Sequence, residues 1–281
     1  MSFCDPWPAP AKINLFLHIV GRRPDGFHLL QTVFQFVDWC DWLSFEVNDS
    51  GAVTRRGGLA HVPEDADLTV RAARLLQAET GCRKGVQIAI DKRLPEGGGL
   101  GGGSSDAATV LVALNRLWDL ELGVDRLAEL GLSLGADVPV FVRGHAAWAE
   151  GVGECLTPVE PETPWYALVV PEIKVNTGRV FQDPELTRNT PLTTIRALLD
   201  GGSAGIGHND CETVVRQRYP EVDAAFTHLA RFAPPRMTGT GATVFAAFSS
   251  RESAQAAISD LPKTWQGRVA RGLNRSPLMD R

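Results

Sequence analysis

Apolar and polar positions recur along this chain with two periods, and the alternation between them outlines its elements. Runs rich in β-branched and aromatic residues read as strands at Ala11–Val20, Leu43–Val47 and Val86–Ile90. Val70, Ala73, Leu75 and Leu76 share one face of a helix predicted over Leu68–Thr80, and Gly81 stands where it should stop. A second helix is expected to open at Ser104 or Ser105, both good N-cap residues. Ala107, Val110, Leu111, Leu114, Leu117 and Trp118 follow at helical spacing. Val124–Leu134 reads as a further short helix. Val138–Val142 and Ala146–Ala149 read as strands divided by a turn at Arg143–Gly144.

The segment Glu154–Pro164 then breaks the pattern with Pro158, Pro161, Pro164 and three glutamates, which marks a connector. It divides the chain into domains 1–157 and 158–281. The second half offers a strand at Ala167–Val170 and a Pro- and Thr-rich loop up to Thr194. Helices are expected at Thr194–Leu199 and Ala224–Phe232, a strand at Val244–Phe248, and a last helix from Ser253.

Composition narrows the class. With 44% hydrophobic and 22% charged residues over 281 positions, the chain can build two cores and is not a disordered or fibrous protein. Its formal net charge of −5, with Lys and Arg scattered, gives no overall attraction to nucleic acid or to an anionic membrane. Ile13–Val20 is too short to span a bilayer, and with no basic segment before it and no small-residue cleavage site after it, it is not expected to be a signal peptide. The five cysteines, Cys4, Cys40, Cys82, Cys155 and Cys211, show no metal-site spacing, and their use fits a reducing cytoplasm.

Candidate chemistry concentrates in three places. Between a strand and an amphipathic helix lies Pro95-Glu96-Gly97-Gly98-Gly99-Leu100-Gly101-Gly102-Gly103-Ser104-Ser105. Glycines let backbone N–H groups approach phosphate, and a following helix N-terminus favours anions. No lysine lies between Pro95 and Asp106, so this is not a G-x-x-x-x-G-K-[ST] loop. Gly97, Gly99 and Gly102 match a dinucleotide fingerprint, but Asp119 and Glu121 fall at a helix end rather than at the end of a second strand. Lys12 and Asn14 share one face of their strand. Lys12 reads either as a solvated side chain or as a cation beside a transferring phosphoryl group. Asp137 reads either as an N-cap or turn residue or as a catalytic carboxylate. Met237-Thr238-Gly239-Thr240-Gly241-Ala242-Thr243 is a turn entering a strand, with hydroxyls that suit an anion.

Taken in order, the Pro8-x-x-x-Lys12-Ile13-Asn14 strand, the Gly99-Leu100-Gly101-Gly102-Gly103-Ser104-Ser105 loop and the Thr238-Gly239-Thr240-Gly241-Ala242 turn resemble the GHMP kinase superfamily. Arg23-Pro24-Asp25-Gly26-Phe27-His28, Gly135-Ala136-Asp137-Val138-Pro139 and the run from Asp183 to Pro191 are similar to the branch that acts on a diphosphocytidyl-linked polyol. The resemblance runs from Pro10 to Phe245. It implies an α+β fold of two domains, the N-terminal one like ribosomal protein S5 domain 2 and the C-terminal one ferredoxin-like, with the active site in the cleft between them. It implies ATP and Mg²⁺ as cofactors, with Pro95–Ser105 around the phosphates and no direct protein ligand assigned to the metal. Asp137 would take the proton of the acceptor hydroxyl, and Lys12 would orient it and offset charge. Phe27 and Phe181 would hold the cytosine, His28 would read its edge, and Asn14 and Thr177 would position the reacting end. Phe27 stands where the family more often has Tyr, and Gly178 where it often has Pro. The partner is a small molecule, with no nucleic acid and no membrane, and the chain is expected as a monomer or weak homodimer.

Overall fold

The computed structural model describes residues 5–195 and 207–281. The N-terminal half runs β1 (Trp7–Arg22), β2 (His28–Asn48), β3 (Val53–Gly57), α1 (Leu68–Thr80), β4 (Gly85–Asp91), α2 (Gly102–Leu117), α3 (Val124–Leu132), α4 (Val138–Arg143), β5 (Ala147–Glu150) and β6 (Cys155–Pro158). The C-terminal half runs β7 (Trp165–Val170), α5 (Thr177–Gln182), α6 (Glu212–Arg218), α7 (Pro220–Leu229), β8 (Arg236–Met237), β9 (Val244–Phe248), α8 (Arg251–Ala256) and β10 (Gln266–Leu273).

The fold is α+β, and hydrogen-bonded strands run through both halves in the order β3-β4-β2-β10-β7-β9-β8, with β1 and β5 paired to β2. The halves meet where β10 pairs with β2 at Gly272↔Val37 and Leu273↔Phe36, while its other end pairs with β7. Each half has a core of its own. One packs Phe36, Phe45 and Ile88 against Leu76, Leu111, Leu114 and Phe141. The other packs Val169 and Val244 against Val215, Phe226 and Leu229. A third cluster, including Ile13, Phe16, Trp148, Leu168 and Phe245, fills the space between them. Among the described residues, no helix is long and apolar enough to cross a membrane.

Helix α1 has the predicted limits, and its ends explain why. Asp67 accepts the N–H of Thr69, and Gly81, at φ 69°, closes the last turn onto Gln77 O. Three expectations need correction. Val138–Val142 is helix rather than strand. All five residues are buried, so the run has no exposed face to reveal its period, and Pro139 in the first turn favours a helix start. The residues expected to be a plain connector include β6, which pairs with β5, so a break at 157/158 falls on the last residue of a strand. Helix α2 starts at Gly102, which leaves Ser104 and Ser105 in its first turn rather than at its cap. Most of β2, all of β10 and helix α5 were not expected from the pattern. Of the helix expected over Thr194–Leu199, the residues after Ile195 lie outside the described residues.

Candidate active site

Lys12 and Asn14 point the same way from β1, as their parity requires, and both are buried. The Lys12 ammonium donates to Asn14 Oδ1 at 2.8 Å and lies 3.2 Å from Asp137 Oδ2, with the Phe34 ring centroid 5.1 Å away. Asp137 occupies the N-cap position of α4, yet its side chain caps nothing. Its carboxylate is committed to Lys12 and remains 32% exposed, open to a ligand.

Asn14 cannot flip its amide. Its Nδ2 donates to Thr32 Oγ1 at 3.0 Å, and the Thr32 hydroxyl proton is itself spent on Phe16 O, so the carbonyl must face Lys12. The Asn14 N–H donates to Thr238 Oγ1 at 3.0 Å. The single proton of that hydroxyl is directed at Gly99 O (3.1 Å) and Asn14 Oδ1 (3.2 Å). Thr238 thus ties β1, the glycine loop and the turn from the C-terminal half at one atom.

The loop is held from both sides. Lys12 N–H donates to Leu100 O at 3.0 Å, and Thr243 N–H to Gly98 O at 3.2 Å. Two of its glycines are required by this packing. A Cβ on Gly99 would overlap the Thr238 carbonyl, and one on Gly101, at φ 71°, would press on Phe141 and Lys12 Cε at 3.0 and 3.1 Å. Gly101 then turns the chain into α2 with no side-chain cap. Ser105 N–H is the first to find an acceptor, Gly101 O at 2.8 Å, which leaves the N–H groups of Gly102, Gly103 and Ser104 without an intrahelical acceptor, an arrangement that suits an anion. Residues Pro95–Ser104 line a cavity of about 360 Å³, to which Leu59, Val62 and Leu68 add apolar surface. The volume and the mix of glycine backbone with apolar side chains suit a nucleotide.

Two residues that sequence reasoning passed over stand behind this cavity. Lys92 Nζ bridges Asp41 Oδ2 at 2.5 Å and Asp106 Oδ2 at 2.6 Å, all three side chains largely buried. Asp41 Oδ1 also accepts the N–H groups of Arg93 and Leu94, which orients the strand leaving β4 toward the loop. Burial, reinforced by the like charge of Asp41, pushes the Asp106 carboxyl up to about 7 against the pull of Lys92. Burial alone would lower the Lys92 ammonium, but Asp106 and Asp41 outweigh it and raise its pKa. Asp106 Oδ1 is buried with no hydrogen-bond partner. The sequence signal was a carboxylate, Asp41, set among aromatic residues in a strand.

The remaining candidates form a second group. His28, which opens β2, stacks on Phe181 of α5 with centroids 4.9 Å apart and planes 23° apart. Phe27 is 62% exposed, with the Arg23 guanidinium 6.0 Å from its centroid, so the ring lying on Phe181 is His28 and not Phe27. Thr177, at the start of α5, shares a 2.9 Å hydrogen bond with Thr240 of the C-terminal turn. Among the described residues, no group of three or more His, Cys, Asp or Glu could hold a metal ion.

Residues 67–145 match the GHMP kinases N terminal domain, and residues 191–267 match the GHMP kinases C terminal model. The chain is 60% identical to the 4-diphosphocytidyl-2-C-methyl-D-erythritol kinase of Alkalilimnicola ehrlichii, over 100% of this chain and 95% of that one. It is 57% identical to the kinase of that name from Nitrosococcus oceani, over 98% and 96%. A crystal structure of 4-(cytidine 5'-diphospho)-2C-methyl-D-erythritol kinase superposes with a TM-score of 0.84 at 32% identity, covering 95% of this chain and 99% of that one. The Methanococcus jannaschii mevalonate kinase shares the fold alone, with a TM-score of 0.70 at 15% identity over 96% and 98%.

Proposed function

The chain belongs to the GHMP kinases, and from that premise we propose that it transfers the γ-phosphoryl group of ATP to the 2-hydroxyl of 4-diphosphocytidyl-2-C-methyl-D-erythritol, a step toward isoprenoid precursors. The observation that carries the chemistry is the Lys12–Asp137 pair, open to a ligand at Asp137 and joined to the glycine loop through Leu100. The loop and the first turn of α2 receive the phosphates. Asp137 accepts the proton of the acceptor hydroxyl as its oxygen bonds to phosphorus, while Lys12 holds that carboxylate in place and offsets charge on the phosphoryl oxygens. Asn14, fixed by Thr32 and Thr238, keeps Lys12 aimed. Mg²⁺ fits this site as a cation carried by the nucleotide, where it neutralises phosphate charge. Asp106 borders the cavity and its Oδ1 is buried without a hydrogen-bond partner, so its carboxylate is the hard oxygen donor that would be nearest to hand for the ion.

At the other end, His28, Phe181 and Phe27 receive the cytosine, and Thr177 helps position the chain between base and hydroxyl. The enzyme works in the cytoplasm as a monomer or weak homodimer. The test is ATP consumption against diphosphocytidyl-methylerythritol, mevalonate, homoserine and galactose. Turnover of the cytidyl compound alone is expected. Turnover of another member of the panel in its place would overturn the reading.

A further inference from the structure

Arg188 lies in the run from Asp183 to Pro191, which belongs to neither the phosphate loop nor the Lys12–Asp137 pair. Its guanidinium spends four of its five N–H donors within the protein, and every acceptor is uncharged. Nη2 donates to Phe181 O at 2.9 Å and to Asp183 O at 2.7 Å, and Nη1 donates to Leu186 O at 3.0 Å. These carbonyls end α5 and start the turn after it, so the fork fixes the backbone that carries Phe181. The remaining bond runs from Nε to His28 Nε2 at 3.2 Å, across to the start of β2. A guanidinium has no lone pair to offer. His28 Nε2 must therefore be the acceptor, and a neutral imidazole then carries its proton on Nδ1.

We propose that Arg188 is the positioning residue of the base-binding pocket, locking His28 as the Nδ1–H tautomer with its ring flat on Phe181. The claim rests on the cytidyl reading above for its ligand but not for its geometry. With Nε2 consumed, Nδ1–H is the one ring donor left to meet an acceptor on the edge of a pyrimidine. Protonation at Nε2 would break the bond to Arg188 and set cation against cation. Burial is the largest cause lowering the His28 pKa, and the charges of Arg188 and Arg22 lower it further. Those two cations are the charged groups facing the imidazole. Asp183 turns its carboxylate away to Arg218 at 3.0 Å. The segment itself is anchored next to β1, where Thr190 N–H donates to Ile19 O at 3.1 Å, and Leu186 is buried.

The test has one readout independent of substrate and one that depends on it. Long-range ¹H–¹⁵N spectra of the histidine-labelled, ligand-free protein should show neutral His28 protonated at Nδ1. In Arg188→Ala its pKa should rise toward the ordinary imidazole range, and Nε2–H should appear. Kinetically, Arg188→Ala should raise KM for the cytidyl substrate roughly 10- to 100-fold, the worth of a hydrogen bond to a charged group. KM for ATP should stay unchanged and kcat near wild type. Arg188→Lys keeps the charge but lacks the fork, so it should not restore KM. It also serves as the readout should the alanine variant fail to fold. An Nε2–H tautomer in the wild type overturns the proposal, as does an unchanged His28 in the variants or an equal rise in both KM values. A wild-type enzyme that ignores the cytidyl compound but shows the expected tautomer would overturn the proposed function and the ligand of this pocket, and leave standing only the locking of His28 by Arg188.

Discussion

A double-mutant cycle on Lys12 and Asp137 asks whether the two act as one device. At an N–O distance of 3.2 Å and an effective dielectric of about 20, their attraction is about 5 kcal/mol. Solvent reaches the Asp137 carboxylate, and screening should reduce the measurable coupling to about 1–3 kcal/mol. Lys12→Met keeps a long unbranched side chain at a buried position without the charge, and Asp137→Asn keeps the shape of the side chain. Each should lower kcat by roughly 10²- to 10⁴-fold, the usual worth of a positioned base or a charge aimed at the transition state. The coupling then makes the double variant about 5- to 150-fold more active than the product of the two single losses. Turnover would be followed by ATP consumption, with ATP affinity by calorimetry and the unfolding midpoint as controls. Losses that simply multiply would refute the idea of a unit. Near wild-type turnover in Asp137→Asn would remove its role as the base.

Two further outcomes follow from the groups behind the loop. The Asp106 carboxyl, raised from 3.8 to about 7, binds its proton more tightly in the folded than in the unfolded chain. It therefore makes stability fall as pH rises between those values, by up to about 1.4 kcal/mol per pH unit. Asp106→Asn should flatten that slope in urea unfolding followed from pH 4 to 8, and an unchanged slope would refute the assignment. Thr238→Val keeps the volume of a fully buried side chain but leaves the Asn14 N–H without its acceptor, which should cost about 1–3 kcal/mol and raise KM for ATP. Wild-type stability together with wild-type ATP binding would show that the hydroxyl is not the tie described here.

How much of this was legible in the sequence depended on what surrounds each segment. Helix α1 has one exposed face, so its period and both ends could be read from residues alone. Helix α4 is covered on every side and its run is too short to show a period, so it looked like a strand. Long β2 was visible only at Leu43–Val47, because its middle is buried on both faces and carries buried polar residues such as Gln31, Thr32 and Gln35. At the site, strand parity was enough to pair Lys12 with Asn14. For Asp137 the local pattern showed neither that its side chain leaves the N-cap position uncapped nor that it lies beside Lys12, 125 residues away in sequence. Arg188 and Thr238 stood inside quoted motifs, but their roles rest on partners distant in sequence, which no local pattern encodes.

The seam between the halves explains why a site drawn from both of them can be held so closely. Lys12 and the glycine loop come from one half and Thr238 from the other, so hydrogen bonds of about 3 Å among them demand that the halves keep one relative position. Those bonds alone are too few to enforce it. The constraint comes from β10, which is a strand of both sheets at once, pairing with β7 along most of its length and with β2 at its end. At that crossing Gly272 lets the chains close up, since a Cβ there would meet Tyr166 and Gln35 at 3.0 and 3.2 Å. The buried Tyr166 hydroxyl donates to Gln35 Oε1 at 2.7 Å, and Gln35 Nε2 donates onward to Asn274 Oδ1 at 3.0 Å. A polar pair sealed in such a seam fixes its register, because a slip would leave both groups buried without partners. Contacts at the seam, away from the cavity, thus hold Lys12, Asn14 and the glycine loop in one arrangement with the turn from the other half.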